Sequence, residues 1–310
     1  MKKNYLTLLS SLVLFLFCAN VHARNIVFKQ ALSVTQIQVL VEKLNYPEGT
    51  LVVMDDADAL MKQECESPSA CIYLGSPVWR EWQKSLLEKE PESKYLVANT
   101  TEGIDEVASY LLKSSRVTFA ESETEEVLRF LASKGVHLLV QTEKGETDKA
   151  ALKERLMSLN VGNGEDSESL AGLIKENAFL NDGEDFSVYK KECTPVDAKP
   201  LTYEAGVLYV NSGNKAKVLK CIVDKYNFEA DKDAKSNRIK NIIFLDDDSQ
   251  NASDLYYAYR GDRRHNVFAL SYTALKQYKS EFLTGVNSAE LQERAHQQWL
   301  EVKAGFESRK

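Results

Sequence analysis

The chain has 310 residues, 44% of them hydrophobic and 27% charged, with a formal charge of −7. That length suits one large domain or a domain with a lid. The acidic balance, with no basic stripe interleaved with aromatics, excludes nucleic acid and acidic membrane as natural partners.

The first residues, "MKKNYLTLLSSLVLFLFCANVHAR", place two lysines before an apolar run from Leu6 to Phe17, with small residues at Val21 and Ala23. This is the layout of a secretory signal peptide over residues 1–23, cleaved after Ala23. The run falls short of the ~20 residues that span a bilayer. Phe17 stands before Cys18 where a lipoprotein would carry a small residue. Loss of Lys2 and Lys3 takes the formal charge from −7 to −9 in residues 24–310, which contain no second apolar run long enough to cross a membrane. The sequence therefore predicts an exported protein, periplasmic or secreted. Disulfides are permitted there. Cys65, Cys71, Cys193 and Cys221 allow three pairings; "CESPSAC" suits a local loop, while Cys221 suits either a bridge or an inert core thiol.

Along the mature chain, "GTLVVM" (49–54), "GVHLLVQT" (135–142) and "KNIIFLDD" (240–247) are short, continuous apolar runs. Such runs mark parallel strands covered on both faces. "AGVLYV" (205–210) adds a further strand or hairpin arm. Helical periodicity fills the gaps in "ETEEVLRFLASKG", "KGETDKAALKERLMSLN" and "NKAKVLKCIVDKYNF", and "SAELQERAHQQWLEVKAGF" ends the chain as an amphipathic helix. Two stretches fall outside this alternation. Residues 62–115 read as a helical cap, and residues 160–204, rich in Gly, Asn, Asp and Glu, as a loop-bearing insertion. The expected fold is α/β, a Rossmann-like open parallel sheet built from right-handed crossovers, forming a single domain over 24–310.

In such sheets the active crevice lies beyond the carboxyl ends of the strands. Asp55, Thr142 and Asp246 are thus the first suspects. A fixed carboxylate at Asp55 could attack phosphorus. Asp246 and Asp247, across the crevice from it, would repel it unless a cation lay between them, and magnesium suits such oxygen ligands. Thr142 offers a hydroxyl to a phosphoryl oxygen. Lys215, at a helix start, could hold nucleophile and phosphate together by charge. Trp79 and Trp82 are expected to pack the cap, and His137 and His265 to be structural. The "YRGDRRHN" cluster is expected to be a solvated turn.

In this order the set resembles the haloacid-dehalogenase-like (HAD) hydrolases. The stretches "LVVMDDADAL", "YLGSPVWREWQ", "VQTEKG" and "NIIFLDDDSQN" resemble more closely a family of secreted bacterial proteins placed in that superfamily. The resemblance implies a Rossmann-like core, Mg2+ and phosphate-ester hydrolysis of a small phosphorylated molecule. It makes Asp55 the nucleophile, Thr142 the phosphate-binding hydroxyl and Lys215 the charge bridge. Asp55, Asp246, Asp247 and the backbone carbonyl of Ala57 would hold the metal, and Asn251 falls where the secreted relatives also place asparagine. The phosphatase pattern is Asp-x-Asp-x-Thr, whereas here Ala57 stands at the general-acid position and Ala59 at the threonine. A shifted frame, with Asp56 and Asp58 as the pair, puts Leu60 where threonine belongs. Phosphonate-cleaving relatives carry alanine at the acid position but need a cap lysine, for which Lys62, Lys84 and Lys89 are poor candidates. Two functions lead, a weakened acid-phosphatase-like hydrolase and a catalytically degraded protein that binds rather than turns over, with phosphonate cleavage a third and weaker reading.

Overall fold

A computed structural model describes residues 25–44, 46–65, 67, 70–162, 164, 167–180, 186–196, 198–232 and 237–307; the predicted signal peptide lies outside them. In chain order the first half contains β1 (Ile26–Ala31), α1 (Thr35–Glu42), β2 (Thr50–Met54), β3 (Met61–Gln63), α2 (Pro77–Lys89), α3 (Thr101–Ser114), β4 (Val117–Phe119), α4 (Thr124–Ser133) and β5 (His137–Thr142). Then follow α5 (Lys149–Ser158), β6 (Asn160–Val161), β7 (Glu168–Ser169), α6 (Leu170–Glu176), α7 (Ser187–Cys193), β8 (Thr202–Glu204) and β9 (Val207–Tyr209). The last part holds α8 (Lys215–Ala230), β10 (Asn241–Asp246), α9 (Ser249–Tyr259), β11 (Asn266–Tyr272), α10 (Lys276–Thr284) and α11 (Ser288–Glu307).

Seven strands form the main sheet in the order β1-β11-β10-β2-β5-β9-β8, and only β8 runs antiparallel to its neighbour. The α/β expectation holds, with three strands beyond those read from the sequence: β1 and β11 extend one edge and β8 the other. The unbroken apolar runs have a direct cause. Alternate residues of a strand face opposite sides of the sheet. Val52 and Met54 of β2 enter one hydrophobic cluster with Ile243 and Leu245 of β10, while Leu51 and Val53 enter the other with Ile242 and Phe244. Each such side chain, fully removed from water, contributes about 1.5–3 kcal/mol. Helices cover both faces, so no polar position is needed in these strands.

Two insertions depart from the alternation. Strands β3 and β4 pair as an antiparallel ribbon, and the 53-residue stretch between them, 64–116, carries α2 and α3. Ser76 caps α2 by accepting from Trp79 N, with Pro77 at the first helical position. Trp79 and Trp82 are buried in a third cluster with Phe282, Leu291 and Ala295, so this insertion packs on α10 and α11. Gln83 stitches its loop by donating to Tyr95 O at 3.1 Å, and Glu293 of α11 accepts from Tyr95 Oη at 2.7 Å and Lys94 Nζ at 2.9 Å. The polar stretch 160–204 holds the β6–β7 ribbon, α6 and α7. Its end is fixed by the β8–β9 hairpin, where Ala205 and Gly206 both have positive φ, 49° and 81°, as a two-residue hairpin turn requires.

Both disulfides are formed. Cys65 pairs with Cys71 inside the insertion, and Cys193 at the end of α7 pairs with Cys221 of α8. Among the described residues no helix is long and apolar enough to cross a membrane.

Candidate active site

Strand β2 ends at Met54, yet the pairing runs one residue further: Asp55 N donates to Leu245 O at 2.9 Å. Asp55 and Asp246 therefore leave neighbouring strands side by side at their carboxyl ends. Beyond Asp55 the chain folds back on itself. Leu60 N donates to Asp55 O, Met61 N to Asp56 O and Asp58 N to Met61 O. Asp58 adopts a left-handed φ of 62° within this turn. The tight turn buries Asp55, Asp56 and Asp58, each toward a different partner.

Each carboxylate has a lysine. Lys215 is the first residue of α8, its helix capped by Asn214, which accepts from Lys217 N. Its ammonium lies 2.5 Å from Asp55 Oδ1 and 2.8 Å from Asp246 Oδ2, and its side chain is 2% exposed. Gln141 Nε2 donates to Lys215 O at 3.0 Å and so ties the start of α8 to β5. Lys144 Nζ donates to Asp56 Oδ2 at 2.7 Å. The Thr142 hydroxyl also hydrogen-bonds Asp56, and it accepts from Lys144 N at 3.2 Å. Lys279 of α10 lies 2.6 Å from Asp58 Oδ2 and donates to Asp247 Oδ2. Asp246 is held further by Asp248 N at 2.9 Å and by Asn251 Nδ2, 3.3 Å from both of its oxygens.

The sequence-predicted residues thus meet in part. Asp55, Asp246 and Asp247 each bring an oxygen within 4.8 Å of the others, and Lys215 clasps two of them. Thr142 is one step removed, engaged with Asp56. Ala57 sits half-buried in the turn, paired with Met61 as an isolated bridge. Lys144, Lys279 and the Asp58–Lys279 pairing were not read from the sequence. Lys144 follows Thr142 by two residues, so the strand-end rule could have found it. Lys279 follows β11, and without that strand it had no place.

The cap lysines are elsewhere: Lys62 Nζ donates to Ala120 O at 2.9 Å, Lys84 pairs with Asp105 at 3.1 Å, and Lys89 is exposed. His265 is buried, its Nε2 2.9 Å from Asn227 Nδ2 and its Nδ1 3.3 Å from Asp262. Arg264 pairs with Asp224 at 2.8 Å and Asp262 at 3.0 Å, so the basic cluster is a cross-linked turn. His137 packs edge-on to Phe179.

The electrostatics divide the acids into two kinds. Burial pushes Asp55 well above the ordinary carboxylate range, with Asp246, Asp56 and Asp247 adding to the rise and Lys215 opposing it. Burial likewise raises Asp246 to about 6, against the pull of Lys215, and raises Asp247 against the pull of Lys279. Asp56 behaves oppositely: burial would lift it, but the Lys144 charge and the hydrogen bonds from Lys144 and Thr142 hold it below the ordinary value. Burial disfavours the charges of Lys215 and Lys279, yet the carboxylates beside each raise both above the ordinary lysine value.

Five carboxylates face three ammonium groups here, Lys144, Lys215 and Lys279. Arg155 adds a further positive charge toward Asp56 and Asp58, so the surplus of carboxylate lies with Asp55, Asp246 and Asp247, where three acids meet two lysines and a divalent cation would be welcome. The converging donors are all carboxylate oxygens, which suits a hard cation such as Mg2+. Asp55, Asp246 and Asp247 are the residues that could hold it.

Fold and site together define an α/β protein with an acidic, lysine-braced crevice at the carboxyl edge of its parallel strands. Within that class, the chain belongs to the family described as "Protein of unknown function (DUF2608)", which it matches over residues 31–304. That span runs from the last residue of β1 into α11. Neither curated proteins nor solved structures gave a match.

Proposed function

We propose that this protein is an exported, HAD-like, acid-phosphatase-like phosphomonoester hydrolase in which Asp55 is the nucleophile and Mg2+ the cofactor. One observation carries the reading. Asp55, Asp246 and Asp247 converge within 4.8 Å at the ends of neighbouring strands, with Lys215 joining two of them. Bound there, the cation would screen the approach of one anion to another and polarise the phosphoryl group.

Asp55 presents an oxygen to phosphorus at a buried strand end. As the Asp55–phosphorus bond forms, the ester P–O bond breaks and the leaving oxygen takes its proton from solvent, because Ala57 offers none. Water then attacks phosphorus, the Asp55–phosphorus bond breaks, and inorganic phosphate leaves. Lys215 holds Asp55 and Asp246 in place throughout. Lack of a positioned general acid costs ~10²–10⁴-fold in rate, so esters with good leaving groups, such as aryl phosphates, are the favoured substrates. The insertion carrying α2 and α3 acts as the cap. The two disulfides suit the oxidising compartment that the predicted signal peptide implies.

The test is release of inorganic phosphate from an aryl phosphate with and without Mg2+. Metal-dependent release that vanishes in Asp55→Asn supports the reading. Loss in Asp56→Asn, with Asp55→Asn still active, overturns the assignment of the nucleophile.

A second reading is a non-catalytic binding protein on the same fold. The observation favouring it is that Thr142 is already engaged by Asp56, and Asp247 by Lys279. It predicts no turnover of any ester, with Asp55→Asn changing metal affinity alone.

A further inference from the structure

Helix α10 carries two residues side by side that serve different parts of the molecule. Lys279 reaches into the crevice, where its ammonium sits 2.6 Å from Asp58 Oδ2 and touches Asp247. Phe282, three positions on, shares that helix face. It is fully buried among the aromatics of the insertion, edge-on to Tyr73 at 5.8 Å and to Trp82 at 5.6 Å. One turn of helix thus connects the acidic crevice to the insertion.

The Lys279 contact has a direct competitor. Asp247 is one of the three converging carboxylates, so a divalent cation and the Lys279 ammonium compete for its single negative charge even where each takes a different oxygen. A divalent ion repels both Lys215 and Lys279 in a buried crevice; Lys215 is held by Asp55 and Asp246 together, whereas Lys279 meets the converging trio through Asp247 alone. Asp58 gives Lys279 a second seat, held by the left-handed turn. Any movement of α10 that accompanies withdrawal of Lys279 from Asp247 is not confined to the crevice. Since packed cores do not deform freely, the shift reaches Phe282 and the ring contacts around it.

We infer that Lys279 is a built-in counter-ion of Asp247 that a divalent cation displaces, and that α10 carries this displacement to the helical insertion. The inference rests on the metal reading of the site but not on hydrolysis. The cap would then be set by the metal state of the crevice, through a residue of this chain that follows the last strand of the sheet.

The chain carries its own reporter. Its three tryptophans, Trp79, Trp82 and Trp299, all pack in the insertion cluster, so tryptophan emission reads that cluster rather than the crevice. Mg2+ binding to the full chain is measured by calorimetry while emission is followed in a parallel titration. The expected result is an emission change in the wild type as Mg2+ binds. Lys279→Met should bind Mg2+ about tenfold or more tightly and lose the emission change. Lys279→Met combined with Asp58→Asn removes one charge of each sign and carries the same expectation if the single variant does not fold. Equal affinity in wild type and variants, or emission blind to bound Mg2+, overturns the inference and leaves the metal reading standing. Absence of Mg2+ binding in every chain overturns both.

Discussion

Asp246 offers the sharpest test of the site's electrostatics. Its side chain is fully buried, and burial raises its carboxyl to about 6 from the ordinary 3.8, even with Lys215 alongside. When an acid's folded pKa exceeds its unfolded one, the native state binds more protons between the two values. Stability then falls as pH rises through that window. The interval from 3.8 to about 6, at 1.36 kcal/mol per pH unit, amounts to about 3 kcal/mol. That cost is absent below the unfolded value and complete above the folded one. Asp246→Asn removes the titration. Urea unfolding of both chains, stepped from about pH 4 to about pH 7 without divalent metal, isolates it by difference. Groups that Asp246 does not perturb cancel, including Asp56, whose lowered pKa gives the opposite dependence, while Asp55, which Asp246 raises, shifts in the same direction and adds to the difference. The variant should gain on the wild type by at least about 3 kcal/mol across that range. Saturating Mg2+ at neutral pH should restore the wild type and leave the variant behind. Parallel profiles, or a difference of the opposite sign, would refute the claim that this carboxylate is held against its burial.

Ala57→Asp should raise phosphate release from an aryl ester by ~10²-fold or more; an unchanged rate counts against Asp55 as the nucleophile. Replacing Cys193 and Cys221 together by serine opens a loop with a sequence separation of 28, which predicts a loss of about 3–4 kcal/mol in non-reducing urea unfolding. Stability equal to wild type would mean the bridge constrains nothing. Gly206→Ala forces a side chain onto φ +81°, with its Cβ 2.6 Å from Ile174 Cγ2 and 3.0 Å from Ile174 O. A loss of at least ~1–2 kcal/mol is expected for the backbone alone, read as a lower Tm, and an unchanged Tm would contradict the hairpin geometry.

How much of this was legible before the coordinates follows from what each residue signals locally. The strands β2, β5 and β10 are buried on both faces, so their sequences are uninterrupted apolar runs, and their ends pointed directly at Asp55, Thr142 and Asp246. Helix α4 carries its apolar periodicity openly, whereas α5 carries almost none and is legible by its place between two strands. Strand β1 hides its apolar run: Lys29 and Gln30 interrupt it, as an edge strand half-open to water allows. Strand β11 follows directly on the charged "YRGDRRHN" turn, which masks its apolar run in the sequence. That masking reaches the site, since the residue that follows β11 into the crevice, Lys279, had no strand to follow. Asp58 was hidden for another reason. Its placement depends on a left-handed backbone turn, and no side-chain pattern announces that a non-glycine residue will adopt it.

The adjacent aspartates bear on the question of frame through their surroundings. Successive residues leaving a strand point to opposite sides, so Asp55 and Asp56 could not share one environment. Asp56 is paired with Lys144 and Thr142 and is more acidic than usual, as a fixed counter-ion should be. Asp55 shares Lys215 with Asp246, lies among other carboxylates, and is less acidic than usual. Environments that push neighbouring titratable groups apart commonly separate their roles. An anion already neutralised by a close lysine and a hydroxyl has little left to offer phosphorus or a metal. The one still under repulsion gains most from an incoming cation, and it is the one whose oxygens face the converging pair. By this argument Asp56 braces the turn, which favours the proposed assignment of Asp55 as the nucleophile.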